Sequence, residues 1–302
     1  MTSPPRSALV DPVDPEVLHE RIGAWFDDHA RSLPWRDDPR PWPVMVSELM
    51  LQQTPVVRVL PVFEAWMERW PTPAALAAEP VGEAVRAWGR LGYPRRAQRL
   101  HAAAVAITAE HGGEVPGTYE ELIALPGVGD YTAAAIASFA FSRRHVVLDT
   151  NVRRVFVRVL EGRQYPHTSV TKAERDLATT LMPGEGADLD AHRWAAATME
   201  LGALVCTARS PQCAACPVAD VCRWHQAGHP EHDGPARKGQ AWAGTDRQCR
   251  GRLLAVLRES ADPVPKADLD RAWDDAAQRE RCLDSLLDDG LVTLTDSGQF
   301  TL

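Results

Sequence analysis

Apolar side chains recur at three- and four-residue intervals through residues 14–225, the period of amphipathic helices. Asp14-Pro15 reads as a helix start, with aspartate as N-cap and proline at the first helical position. Leu18, Ile22, Trp25 and Phe26 then form one stripe, which Leu33-Pro34-Trp35-Arg36 breaks. The proline- and charge-rich piece to Pro43 predicts a loop. The pattern predicts a helix over 44–53, with Glu48 set among Val44, Met45, Leu49 and Leu51, and Pro55 closing it. Phe63, Trp66, Met67 and Trp70 mark another amphipathic helix, followed by short alanine-rich helices near 73–79 and 82–88. Leu91-Gly92-Tyr93-Pro94 is a turn, 95–111 a longer helix ended by Gly112-Gly113, and 119–125 a short one. Further helices fall near 130–141, 150–160, 171–181 and 189–204. No alternating strand and no internal repeat occurs in this stretch, which predicts an all-α domain.

The pattern changes near the end. Residues 226–247 contain His, Gly and Pro and read as a linker. Leu253, Leu254, Val256 and Leu257 sit on one helix, 267–273 predicts a second and 276–288 a third. Two short runs, 290–294 and 299–302, flank Asp296-Ser297-Gly298 as a β-hairpin. Three helices and a hairpin in 248–302 predict a small winged-helix-like module. Residues 1–13 read as disordered.

Chemistry concentrates at Leu125-Pro126-Gly127-Val128-Gly129, a tight turn opening the 130–141 helix. Glycines permit positive φ and close approach of another backbone. The first N–H groups of the helix lack intrahelical partners and suit a phosphate, a grip that reads no bases. On the glycines alone an ordinary helix-turn-helix fits as well. Asp149 follows 20 residues after Gly129, placing a carboxylate near a candidate backbone grip.

The net charge of −8 excludes a simple basic nucleic-acid binder. Locally, however, Arg86, Arg90, Arg95, Arg96 and Arg99 cluster on one side of the hairpin, and Arg143, Arg144, Arg153, Arg154 and Arg158 on the other, predicting two basic patches. Lysine is scarce: Lys172, Lys238 and Lys266 are the only three. Among six cysteines, Cys206, Cys213, Cys216 and Cys222 fall within 17 residues, a metal pattern rather than a disulfide framework. A single Cys-x2-Cys between wider arms suits a cubane iron–sulfur cluster better than the paired knuckles of zinc. Cys249 and Cys282 read as plain thiols, and Arg209, in the loop between the first two ligands, as a phosphate contact. No apolar run is long enough to span a bilayer, which predicts a soluble protein of the cytoplasm.

Taken together, Leu33-Pro34-Trp35-Arg36, the Ser47–Thr54 run Ser-Glu-Leu-Met-Leu-Gln-Gln-Thr, Leu91-Gly92-Tyr93, the hairpin, Leu148-Asp149-Thr150-Asn151-Val152 and the cysteine loop resemble the helix-hairpin-helix DNA glycosylases. The Ser47–Thr54 run marks the MutY-type adenine DNA glycosylases; the hairpin and cysteines alone would also fit endonuclease III-like enzymes. The resemblance covers about residues 15–225. It implies a glycosylase domain over 14–225 with two helical lobes, a six-helix barrel at 36–145 and a cluster lobe of 14–35 with 146–225, enclosing a DNA cleft. It also implies a [4Fe-4S] cluster on Cys206, Cys213, Cys216 and Cys222, and a monomer working at the bacterial nucleoid on double-stranded DNA with A:8-oxoG or A:G mispairs.

Excising adenine requires a proton on the leaving base and stabilisation of an oxocarbenium-like sugar, hence two carboxyl groups. Glu48 fits the acid, because an apolar setting favours its protonated form, and the resemblance assigns its proton to adenine N7. Asp149 fits the second carboxylate, with an N-cap role beside it. By the resemblance Asn151 orients the acid or water, and Tyr131, at the lyase relatives' lysine position, helps hold Glu48 or Asp149. With no lysine before Lys172, a barrel-borne Schiff base is excluded, and a monofunctional enzyme is expected. Gln52 and Tyr93 are wedge candidates, supported by Thr54 and Leu91; Arg36 contacts adenine, and Gly127, Val128 and Gly129 donate to phosphate. The competing readings are an endonuclease III-like glycosylase/lyase and a non-catalytic iron–sulfur DNA-binding protein.

Three departures stand out. Pro94 replaces a second tyrosine, and Ala195 and Ala196 stand where relatives carry Asn-Gln, so the glutamine reading adenine's edge is absent. Only 80 residues follow Cys222, with a winged-helix-like pattern in place of the usual nudix-like domain. A weaker preference for 8-oxoguanine over guanine opposite adenine is therefore expected.

Overall fold

The structure, a computed structural model, describes residues 13–184, 190–232, 234 and 242–302. The predicted disordered start lies outside the described residues except Val13, as does much of the predicted linker. Two compact units form, one from 1–32 with 142–235, the other from 33–141 with 236–302.

In the first unit, Asp14 caps the Pro15–His29 helix by accepting from Glu16 N–H at 2.9 Å, as its sequence requires. That helix packs on Ala191–Leu204, which in turn packs on Thr150–Phe156. Leu18, Ile22, Val155, Phe156, Trp194, Leu201 and Trp224 fill the core. Glu200, fully buried, accepts from Arg31 Nε and Nη2 at 2.7 Å each. The helix predicted over 150–160 changes character midway: after Phe156 it continues as a π-helical turn, Val157–Glu161, ended by Gly162. Arg158 stands on this turn.

The second unit holds the helices from Pro34–Asp37 through Asp130–Phe141. Its sequence prediction needs one correction. The loop expected up to Pro43 is mostly helical, because Pro34 and Pro41 each start a helix at the position that tolerates proline. The Pro41–Leu51 helix is buried from Trp42 to Met50 and packs on Asp130–Phe141.

The C-terminal segment belongs to this unit. Helices Asp246–Glu259, Lys266–Asp270 and Ala276–Asp288 precede a hairpin in which Thr293 pairs with Thr301 and Leu294 with Phe300. Val264 adds a bridge to Phe300, completing a winged-helix-like arrangement. Leu253, Leu257, Leu283, Cys249 and Cys282 join the same apolar core as Trp66, Trp88 and Leu100. Arg86 seals the join by donating to the carbonyls of Leu257, Arg258 and Ser260 at 2.9, 2.8 and 2.6 Å. Gln98 adds a donor to Gly290 O at 2.7 Å.

Candidate active site

Glu48 is the one charged residue in Pro41–Leu51, and only 6% of it is exposed. Its placement follows from the helix, whose neighbouring side chains are nearly all apolar and buried. The C-terminal end of this helix is held by Arg96, itself 6% exposed. Arg96 Nη1 donates to Leu49 O, Met50 O and Gln52 O at 2.9, 3.1 and 2.6 Å, and Nη2 to Thr54 Oγ1 and Gly92 O at 3.1 Å each. Trp88 and Tyr93 lie 5.4 Å from the guanidinium carbon. Burial pulls the guanidinium down to about 10.

One arginine thus gathers the sequence-predicted wedge residues. Thr54 Oγ1 also reaches Leu91 O at 3.4 Å, and Gln52 Nε2 donates to Thr132 Oγ1 at 3.3 Å. Gln53 and Tyr93 both take positive φ, 55° and 48°, and Tyr93 is half exposed. Non-glycine residues enter that region only when their surroundings hold them there. Arg36, half-buried, stands on the Pro34–Asp37 helix, and Tyr131, half-buried, is the second residue of Asp130–Phe141.

At the hairpin one glycine has both roles expected of two. Gly127 sits at φ 77°, and a Cβ there would lie 2.4 Å from Arg99 Cβ. The turn therefore closes directly on the Arg99 stem. Gly129 is not left-handed; its carbonyl accepts Ala133 N–H at 2.9 Å and opens the helix. Val128, by contrast, is buried, with its N–H on Leu125 O at 3.2 Å, so its N–H faces inward rather than toward a ligand.

Half of the arginines in the predicted basic patches are turned away from solvent. Arg86 and Arg96 turn inward to carbonyls, and Arg95 pairs with Asp289 at 2.5 Å. Arg153 makes a buried pair with Glu174 at 3.0 Å. Arg154 and Arg158 are buried against carbonyls too. Arg90, Arg95, Arg99, Arg143 and Arg144 remain exposed, as does Arg209. Helix ends leave carbonyls without partners, and a planar five-donor fork satisfies several at once.

In the first unit Asp149 caps Thr150–Phe156, accepting Val152 N–H at 2.7 Å and the Asn151 side-chain amide at 2.8 Å. Asn151 Oδ1 accepts from Arg154 at 2.8 Å, and Arg154 continues to Gly202 O at 2.6 Å and Cys206 O at 2.7 Å. A Cβ at Gly202 would fall 2.7 Å from Asn151 Cβ, so the two helices meet at that glycine. Burial pushes the Asp149 carboxyl above its ordinary 3.8, against the opposing pull of Val152 N–H, the Asn151 amide and the Arg154 charge.

Arg154 leads from Asp149 to the cysteine loop. Cys206, Cys213, Cys216 and Cys222 line one cavity with Val155, Val159, Leu201, Val218 and Trp224. Arg158, 1% exposed, donates to Thr207 O at 2.8 Å, Ala208 O at 3.1 Å and Cys206 Sγ at 3.3 Å, and stacks 4.5 Å over Trp224. Burial, reinforced by neighbouring thiolates, raises Cys213 and Cys222 and pushes Cys216 up to about 12. Four thiols converging on one cavity form the thiolate donor set that fits a [4Fe-4S] cluster. Bound there, the cluster cross-links a loop that makes little secondary structure of its own.

A hairpin able to approach phosphate, feeding a helix packed on a buried carboxyl, defines a helix-hairpin-helix DNA repair protein. Residues 46–179 match the family described as HhH-GPD superfamily base excision DNA repair protein. Residues 206–222 match the iron-sulfur binding domain of endonuclease III. Adenine DNA glycosylase of Mycobacterium tuberculosis H37Rv is 51% identical over 92% of this chain and 91% of its own length. Its Mycolicibacterium smegmatis counterpart is 51% identical over 92% of this chain and 94% of its own. A solved thermostable thymine-DNA glycosylase shares the fold with TM-score 0.63 and 26% identity, over 70% of this chain and 97% of its own. The chain belongs to the adenine DNA glycosylase family within that superfamily.

Proposed function

We propose that this chain hydrolyses the N-glycosidic bond of adenine mispaired with 8-oxoguanine or guanine, and does so as a monomer at the nucleoid, without cutting the strand. The observation carrying this reading is Glu48, the one charged residue of a buried, otherwise apolar helix and 6% exposed. A carboxyl so placed holds its proton until a base is presented and then delivers it to N7, so adenine leaves neutral. Asp149 takes the other half of the chemistry. Val152 N–H and the Asn151 amide aim its carboxylate, which stabilises the positive charge developing on the sugar. Water then adds to the sugar carbon, and its proton returns to the Glu48 carboxylate. Flipping the base costs a few kcal/mol, and the network around Arg96 presents Gln52 and Tyr93 to fill the gap.

The lysine positions support a monofunctional reaction. Lys172 is 88% exposed and paired with Asp176, and Lys266 is tied to Asp270 and Glu280. Lys238 lies outside the described residues. A modest preference for 8-oxoguanine over guanine goes with this reading.

Single-turnover cleavage of duplexes with adenine opposite 8-oxoguanine, guanine or thymine, with and without alkali, tests the reading. Breaks only after alkali and only for the purine mispairs are expected. Breaks without alkali, or equal failure on both purine mispairs, would refute it.

A further inference from the structure

Beside the cysteine loop two imidazole nitrogens, which neither the glycosylase chemistry nor the cluster requires, converge on the cluster thiol Cys213. Arg223–Gln226 is a single helical turn. The chain then reverses through Gly228 at φ 75° and His229 at φ 61°, with His229 N–H on Trp224 O at 3.0 Å. A histidine held left-handed is uncommon and is maintained here by packing, its ring edge-on to Trp224 at 4.5 Å. The reversal brings His229 Nε2 to 2.9 Å from His225 Nδ1 and to 3.5 Å from Cys213 Sγ. All three atoms lie within 4.8 Å of one another, and both imidazoles face solvent.

Hydrogen bonding alone does not account for this arrangement. An imidazole nitrogen carries either one proton or one lone pair, so His229 Nε2 serves one of its two contacts well and not both. Three donors aimed at one point suit a metal ion. Tetrahedral zinc, with bonds of about 2.0 Å to nitrogen and 2.3 Å to sulfur, sets nitrogen and sulfur about 3.6 Å apart and two nitrogens about 3.3 Å apart. The Cys213–His229 separation already matches, and the exposed His225 ring reaches the other by a small rotation.

We propose that Cys213, His225 and His229 form a second metal site, for a zinc-type divalent ion, with solvent as the fourth ligand. Thiolate and imidazole donors select zinc or cobalt over magnesium and calcium. Cys213 is shared with the cluster, so the site competes with it. The Cys213 S–Fe bond breaks, an S–Zn bond forms, the iron takes a water molecule and no electron moves. Zinc therefore loosens the cluster from its solvent-exposed edge. The inference rests on the cluster assignment and is independent of the substrate reading.

The test uses the full-length holoprotein with Co(II), Zn(II) or Mg(II), following cluster absorbance and bound cobalt. Wild type is expected to bind one added Co(II) with thiolate-to-cobalt charge-transfer absorption, and to lose cluster at least tenfold faster in zinc than in magnesium. His225→Ala leaves the His229–Trp224 packing intact and is expected to weaken cobalt binding by about 100-fold, the upper end of what supporting groups contribute at metal sites. The double variant with His229→Ala should lose both effects. Cobalt bound without thiolate absorption, or cluster loss equally fast in zinc for wild type and His225→Ala, would overturn the proposal.

Discussion

Asn151 offers the sharpest test of how the sugar-side carboxylate is prepared. Its amide is one of two short donors to Asp149, at 2.8 Å, the other being Val152 N–H at 2.7 Å. Burial favours the protonated acid, and these donors oppose it. A hydrogen bond to a charged group contributes about 1.5–3 kcal/mol. At about 1.4 kcal/mol per pKa unit, Asn151→Ala should raise Asp149 by about one to two units. Arg154 keeps its bonds to Gly202 and Cys206, so the helix pair remains joined. The assay is the single-turnover excision rate against pH. The acid limb should move upward by that amount, with the smallest loss of rate at the alkaline end. Asn151→Asp should move it further, since a second carboxylate would face the first. A limb unmoved by either substitution, with rates merely scaled down, would show that Asn151 secures the helix and that Asp149 does not react as the carboxylate.

Asp149→Asn should abolish excision while stabilising the fold. Asparagine keeps the N-cap, and the raised folded-state pKa means that ionised Asp149 lowers stability. The gain is present above that raised pKa and vanishes below 3.8, where the acid is protonated in both states, as urea unfolding at several pH values will show. Arg96→Met should destabilise by about 1–3 kcal/mol, the cost of a buried acceptor left without its donor, and denaturant titration reads it directly. Gly127→Ala, with its Cβ 2.4 Å from the Arg99 stem and φ at 77°, should weaken duplex binding at least tenfold, about 1.4 kcal/mol, in a fluorescence titration. Borohydride should trap no covalent DNA complex, and Lys172→Arg should leave excision unchanged.

Much of this protein is a local matter. Asp14-Pro15 and Asp149 cap helices because aspartate accepts the first free N–H groups, and neighbouring residues suffice to show it. Glu48 is picked out by the Ser47–Thr54 run it sits in, and the cysteine ligands by four thiols that lie close along the chain. The third helix and hairpin of the C-terminal module also follow from short-range pattern. The arginines were a different case. Arg86, Arg96, Arg153, Arg154 and Arg158 look in sequence like a phosphate-binding surface, yet each donates to carbonyls in the interior. Their acceptors come from positions as distant as Leu257 for Arg86 and Thr207 for Arg158, so only the assembled packing decides between solvent and interior. The same holds for the π turn that carries Arg158, for the apolar core shared by the 33–141 helices and the C-terminal module, and for the meeting of Cys213, His225 and His229. Periodicity, capping and spacing act over a few residues and are written in the chain itself. The destination of a long polar side chain depends on which unsatisfied groups the fold brings within its reach, and that is a property of the tertiary structure alone.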